Sequence, residues 1–532
     1  VGSLCKRHAV TSCDALIDKM AMNLGFEYNN EKRIKSGIKY AISKATANGH
    51  CAVLEDELYR FIKVLLGVEN DEIEDSVIEL KAKGEIVIEE REDNNWIYLD
   101  SYYKAEENVA NKLITLDKAR NMKHINDFED ELEKIEQKTD LILSDKQKEA
   151  IEAVNDNNVC IITGGPGTGK TTIIKVILEL YKSKKRKTVL CAPTGRAAKR
   201  MTETTGEEAK TLHRLLEIGK IEEERTSKYN DFDVAPLDAD VIIVDEMSMV
   251  DLFLMNYLVK AIYQGSKLVL VGDVDQLPSV GPGNVLADLI NSKRIKTIVL
   301  NKIFRQAAKS KIIINSHRVN SGETFIKPQE SAEELNQDFF YIKENNQDKI
   351  LNQILSLCSG RLESYGNYEF FKSIQVITPT KKGMLGTKEL NKVLQECLNP
   401  LPEGGLERQN LGASFRAGDR VMQIKNNYDI FWEREKYGYE TGKGVFKGEF
   451  GNILKLEKML KSFENKINVV KEQIKYTKKQ IKDVKEELDK PFTMQDKIRE
   501  LQREKAIIDS ELDLDKQENI KSIEENSEEM ER

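Results

Sequence analysis

Two groups of residues have types and spacing suited to chemistry. Gly164, Gly169, Lys170 and Thr171 fill the pattern G-x-x-x-x-G-K-T, and Asp245 and Glu246 stand side by side after an apolar run. The full loop reads Gly164-Gly165-Pro166-Gly167-Thr168-Gly169-Lys170-Thr171-Thr172. Glycines let successive backbone N–H groups turn toward one anion with no Cβ in the way, and a following helix N-terminus adds partial positive charge. In that pattern the lysine reaches the outer phosphates of a nucleoside triphosphate and the Thr171 hydroxyl holds Mg²⁺. Asp245 is the second expected metal ligand. Glu246 is expected to orient or deprotonate an attacking water.

Further residues extend this reading. Gln276, in Gly272-Asp273-Val274-Asp275-Gln276, is set to touch the terminal phosphate and report its loss. Arg305, in Ile303-Phe304-Arg305-Gln306, is expected to act as a finger on charge developing in the transition state. Gln147 lies one short helix upstream of the loop. Its amide offers the donor and acceptor that match the edge of adenine. Small polar or basic groups follow other apolar runs: Pro193, Thr194 and Arg196, then Thr211 and His213, then Thr378 and Pro379. They are candidates for a nucleic-acid backbone.

The elements that must hold these residues are legible as apolar runs ended by polar turns. Val159–Ile162, Thr188–Ala192, Val241–Val244 and Leu268–Val271 read as buried parallel strands, with the chemistry at their C-terminal ends, where open α/β sheets bind ligands. Ile173, Ile174, Ile177 and Leu180 mark the helix after the loop. The fold class is therefore α/β, with P-loop motor domains on parallel sheets. Residues 144–300 form the first such domain, and 301–453 a partial second one opened by a strand at Ile374–Thr380. Before them, residues 1–105 read as short helices, Cys13–Leu24 among them, and then a helix, helix, β-wing unit. Residues 106–143 read as a helical linker. From Leu454, Leu456, Leu460, Phe463, Ile467 and Val470 follow a heptad alternation, so 454–532 is expected to be a coiled-coil helical hairpin with an acidic end. That tail is a candidate surface for a protein partner or self-association.

Bulk properties set bounds. The 532 residues carry 82 Lys and Arg against 90 Asp and Glu, a net charge of −8, so nucleic-acid contact must come from local patches rather than a basic coat. The seven cysteines form no C-x-x-C pair, which fits reduced thiols and a cytoplasmic setting. No apolar run is long enough to span a membrane. The first residue is Val, as in a fragment.

The order Gln147, Gly164 to Thr171, Ala192 to Ala197, Thr211 to Leu215, Asp245-Glu246, Gly272 to Gly281 and Phe304-Arg305 resembles superfamily 1 helicases, and among them the RecD-like ATP-dependent DNA helicases. Arg33-Ile34-Lys35-Ser36-Gly37-Ile38 and Asn48-Gly49-His50 resemble the same family upstream of its motor. The resemblance implies two RecA-like domains, ATP and Mg²⁺ as cofactors, and 5′→3′ movement on single-stranded DNA or at a single-strand/duplex junction, in DNA repair or recombination. It also implies a strand-splitting hairpin insert near 217–235. After Gly448-Glu449-Phe450-Gly451 the family adds a small β-barrel and then a V-H-K-S-Q-G-type segment with an arginine motif. Neither is recognised in this sequence, and most of the family's helix-hairpin-helix region is also missing. The alternative expectation is a nucleotide-gated DNA- or protein-binding scaffold without productive unwinding.

Overall fold

The structure, a computed structural model, describes residues 27–91, 94–120, 123–218, 234–302, 310–326, 338–403, 405–410, 412–424, 427–434, 440–445, 450–453 and Glu504. The expected helix Cys13–Leu24, most of the 217–235 insert, Arg305 and, apart from Glu504, the 454–532 coil lie outside the described residues. The chain divides into two units, 1–350 with 421–451, and 351–420 with 452–532. Among the described residues no helix is long and apolar enough to cross a membrane.

The first unit begins with the helix-and-wing pattern. Helix α1 (Glu31–Ala47) starts at Asn30, whose side chain accepts from the Lys32 N–H. Strand β1 (Ala52–Leu54), helices α2 (Glu55–Leu66) and α3 (Asn70–Ala82), and strands β2 (Ile86–Arg91) and β3 (Asn94–Leu99) follow. The three strands pair antiparallel in the order β1-β3-β2. Ile34, Ile38 and Ile42 recur at helical spacing and pack with Ile62, Ile73, Leu80 and Ile97 in one core. Strand β1 is absent from the sequence expectation, because three residues are too few for an alternation to show.

Helix α4 (Asp100–Lys118) is more than a linker. Its Ala105, Val109, Leu113 and Leu116 belong to the same buried cluster as the motor strands. Helix α5 (Phe128–Thr139) likewise buries Leu132 and Ile135 against the opposite sheet face.

The motor follows: α6 (Asp145–Asp156), β4 (Val159–Gly164), α7 (Lys170–Ser183), β5 (Thr188–Ala192), α8 (Gly195–Thr205), β6 (Ala209–Thr211), α9 (Leu212–Leu215), β7 (Val241–Val244), α10 (Leu252–Ala261), β8 (Lys267–Gly272), α11 (Val285–Asn291), β9 (Lys296–Leu300) and α12 (Lys311–Asn320). The six strands run parallel in the order β6-β5-β7-β8-β4-β9. Alternate residues serve opposite layers, as a period of two requires. Val159, Ile161, Ile242, Val244, Leu268 and Leu270 face a core shared with α4 and α10. Cys160, Ile162, Val241, Ile243, Val269 and Val271 face one shared with α6 and α7. One polar group is buried on purpose. Lys267 is fully buried, and its Nζ donates to the carbonyls of Val154 (3.0 Å), Asn155 (2.9 Å) and Asn157 (2.8 Å), satisfying acceptors that the end of α6 leaves open.

The second unit is smaller. Helix Thr387–Leu398 buries Leu390 and Leu394 beside Cys358. Asp419 accepts from Gln395 Nε2 (2.6 Å), Asn399 Nδ2 (2.8 Å) and the Arg416 N–H (2.6 Å). The expected strand Ile374–Thr380 is irregular. Among the described residues after Leu300 only two-stranded ribbons occur, including the antiparallel pair Glu407–Asn410 with Ala413–Arg416 in this unit and Asn427–Arg434 with Glu440–Val445 in the stretch assigned to the first. A lone apolar run needs a neighbour to satisfy its backbone, and Ile374–Thr380 has no ladder partner among the described residues.

Candidate nucleotide site

The glycine loop joins the end of β4 to the start of α7. Gly169 sits at φ 85° as the residue before the helix, a left-handed conformation that a side chain would strain. Thr168 is buried, and its Oγ1 donates to Gly165 O at 2.9 Å. Lys170 Nζ donates to Gly164 O at 2.5 Å and Gly165 O at 3.1 Å, so the ammonium is folded onto the loop's own carbonyls. Thr171 and Thr172 lie in the first turn of α7 and are partly exposed.

The acidic pair arrives on β7. This strand is not adjacent to β4, as simple proximity would suggest. Strand β8 lies between them. Two strand spacings, about 10 Å, leave room for a phosphate group and a cation between loop and carboxylates. Burial pushes the Asp245 carboxyl above its ordinary range, against the pull of the Glu246 N–H (2.9 Å), Lys170 and Arg200. Burial and the neighbouring Asp245 charge push Glu246 up, with Lys170 and Arg200 opposing and Asp273 adding to the rise. Lys170 therefore acts electrostatically on both carboxylates. Glu246 itself has φ 55° and ψ 43°, an uncommon backbone state for a residue with a side chain. Such strain costs on the order of 1–3 kcal/mol and clusters where geometry matters to function.

The intervening strand β8 delivers Asp273 and Gln276. Asp273 is buried, accepts from the Asp275 N–H (3.1 Å), and receives Gln276 Nε2 on its other oxygen (3.2 Å). The Gln276 amide is thus anchored at the same sheet edge. Asp273 is absent from the sequence expectation, although a carboxylate directly after a buried strand is its signal. Thr163 is a second such residue. Its Oγ1 accepts from the Val274 N–H at 3.2 Å and ties the two strand ends together.

Gln147 stands in the first turn of α6. It is 2% exposed, and its Oε1 accepts from the Ser144 N–H at 3.0 Å as part of the cap on α6. The acceptor half of the amide is committed to the helix start, which leaves the donor half for any base. Pro193, Thr194 and Arg196 follow β5, and Thr211 and His213 lie at the end of β6, so all five share the C-terminal edge of the sheet. Arg196 and His213 are exposed. Thr194 Oγ1 accepts from the Ala197 N–H, and the buried Thr211 accepts from the Arg214 N–H, so both hydroxyls start helices. Thr378, in the second unit, donates to Leu385 O at 2.6 Å, and Pro379 is exposed.

Residues 147–282 match the AAA domain family model, and residues 390–470 match that of the ATP-dependent RecD-like DNA helicase SH3 domain. The second match and those to the relatives that follow are to RecD-like helicases, and the chain resembles them. Against the ATP-dependent RecD2 DNA helicase of Deinococcus radiodurans, the chain is 36% identical over 315 residues, covering 59% of itself and 39% of that protein. It is 35% identical over 227 residues to the RecBCD enzyme subunit RecD of Mycobacterium tuberculosis, covering 38% and 37% of the two chains. With the corresponding subunit of Buchnera aphidicola it shares 28% over 402 residues, 62% and 64% of the two. The chain thus spans 37–64% of the length of these relatives. The SH3 match corrects one expectation. The family's small β-domain is present, and it falls on 390–470, across the stretch read as a second RecA-like domain and the start of the coil. Its short antiparallel ribbons lack the long apolar runs that made the motor strands legible.

Proposed function

We propose that the chain is the motor-bearing part of an ATP-dependent 5′→3′ DNA helicase, working on single-stranded DNA or a single-strand/duplex junction in the cytoplasm. The observation that carries the proposal is the convergence of three strand ends. Lys170 on the glycine loop exerts its charge on Asp245 and Glu246, and Gln276 is anchored to Asp273 just beyond the strand between them. The donor set suits ATP with Mg²⁺. Asp245 is a buried carboxylate pushed toward its neutral form, a state that a cation would reverse. Thr171 and Asp245 are the residues that would hold Mg²⁺ here. Bound there, Mg²⁺ supplies charge neutralisation across the phosphates.

The chain's own residues do the rest. Lys170 exchanges the carbonyls of Gly164 and Gly165 for phosphate oxygens. The N–H groups of residues 167–171 orient the phosphates, and Glu246 takes a proton from the attacking water. Gln276 registers the terminal phosphate through the Asp273 anchor, and Arg305 completes the charge stabilisation. Pro193, Thr194, Arg196 and His213, with Thr378 and Pro379, contact the DNA backbone. The buried Thr211 acts by holding His213 in place. The relatives' printed names support the reading: one is a DNA helicase and two are RecBCD subunits.

The test is ATP turnover with and without single-stranded DNA. Turnover rises with DNA and is abolished in Lys170→Ala. Turnover indifferent to DNA removes the translocase reading. DNA affinity that follows nucleotide without strand separation favours the scaffold.

A further inference from the structure

Helix α12 reaches back to the glycine loop. A Cβ built on Gly165 would lie 2.5 Å from His317 Cε1, 3.1 Å from Nε2 and 3.3 Å from Nδ1, so the imidazole lies flush against the loop backbone. The same Nε2 is 3.5 Å from Pro166 O. The helix that carries His317 is itself fixed. Asn315 is 3% exposed, donates to Ile326 O at 3.0 Å and accepts from the Ile326 N–H at 2.7 Å. On its inner side, Gly165 O holds both Thr168 Oγ1 and Lys170 Nζ.

We infer that His317 is a positioning residue that braces the outer face of the phosphate loop, through Gly165 and Pro166, while Lys170 changes partners. The inference rests on the nucleotide reading of the loop. When Lys170 leaves the Gly164 and Gly165 carbonyls for a phosphate, Gly165 loses an inner contact. The imidazole, on a helix anchored independently of the loop, keeps the backbone where its N–H groups can converge. The absence of a Cβ at Gly165 is what admits the ring. The brace acts on ground state and transition state alike, so its loss shows in KM rather than kcat.

The experiment measures ATP turnover and equilibrium binding of a fluorescent ADP analogue. His317→Ala weakens both KM and the ADP Kd by about 3- to 10-fold, the worth of one modest contact, with kcat within about twofold. His317→Gln, which keeps an N–H for Pro166 O, returns both to within about twofold of the parent. Gly165→Ala weakens binding because the new methyl meets the ring, and adding His317→Ala to it improves binding instead of worsening it. Thermal melting checks that each variant folds. If Gly165→Ala does not fold, the His317→Ala and His317→Gln pair decides. Unchanged KM and Kd in His317→Ala, or equal losses with and without the Gly165 methyl, overturn the brace. Lys170→Ala separates the two levels. If it binds ADP like the parent, the nucleotide reading fails. If it does not bind and His317→Ala does so normally, only the brace fails.

Discussion

At the scale of single residues, the site holds two carboxylates in an environment that disfavours their charge. Burial raises both, and Asp245 raises Glu246 further. The sign follows directly. A carboxyl whose folded pKa exceeds its unfolded value opposes folding once pH is above the folded value, and the penalty fades as pH falls through it. Neutral substitution removes that penalty. At pH 7, Glu246→Gln is therefore expected to unfold at a higher urea concentration than the parent. Its turnover is expected to drop about 10²- to 10⁴-fold, the usual share of a general base. Lower stability together with preserved turnover would refute both halves.

At the scale of elements, the glycine loop, Asp245, Glu246 and Gln276 follow the C-terminal ends of β4, β7 and β8, and the parallel sheet brings those ends to one edge. The edge depends on how α6 and β8 meet, and Lys267 is the pin between them. Lys267→Met leaves three carbonyls at the end of α6 without their donor. Each unsatisfied buried acceptor costs about 1–3 kcal/mol, partly relieved by relaxation, so a loss of roughly 2–4 kcal/mol is expected in chemical denaturation. A shift below about 0.5 kcal/mol would show that water reaches those carbonyls and that the buried amine is dispensable.

At the scale of the whole first unit, the wing-bearing N-terminal part is fastened to the motor. Tyr102 on α4 meets Phe253 on α10 edge-to-face with ring centroids 4.7 Å apart, Asn108 Nδ2 donates to Asn256 Oδ1, and the Gly283 N–H donates to Gly49 O at 3.0 Å. Gly283 follows the segment that carries Gln276, so this fastening reaches toward the site. The parent's first unit is expected to melt as one transition. Phe253→Ala removes the aromatic contact and part of the apolar surface under α4. It is expected to cost about 1–3 kcal/mol and to separate an early N-terminal transition from the motor's, resolved by calorimetry. A single unshifted transition would mean that α4 is held by its aliphatic residues alone.

The sequence by itself determined four of the motor's six strands, the glycine loop and the acidic pair, but not the edge strands β6 and β9. Val159–Ile162 and Val241–Val244 are apolar on both faces, and the residues ending them are chemically distinctive, so local pattern and chemistry point the same way. The likeness to RecD-like helicases was carried by those same ends. Order across the sheet was decided only by tertiary structure. Whether β8 lies between β4 and β7 depends on which strands pair over long sequence separations, and no local periodicity encodes that. The same holds for Gln147, whose Oε1 is claimed by the cap on α6, and for α4, whose apolar stripe suits either a solvent-crossing linker or a core layer. It holds too for His317, a single polar residue about 150 positions from Gly165, which becomes a neighbour of the loop only once α12 is folded back against it.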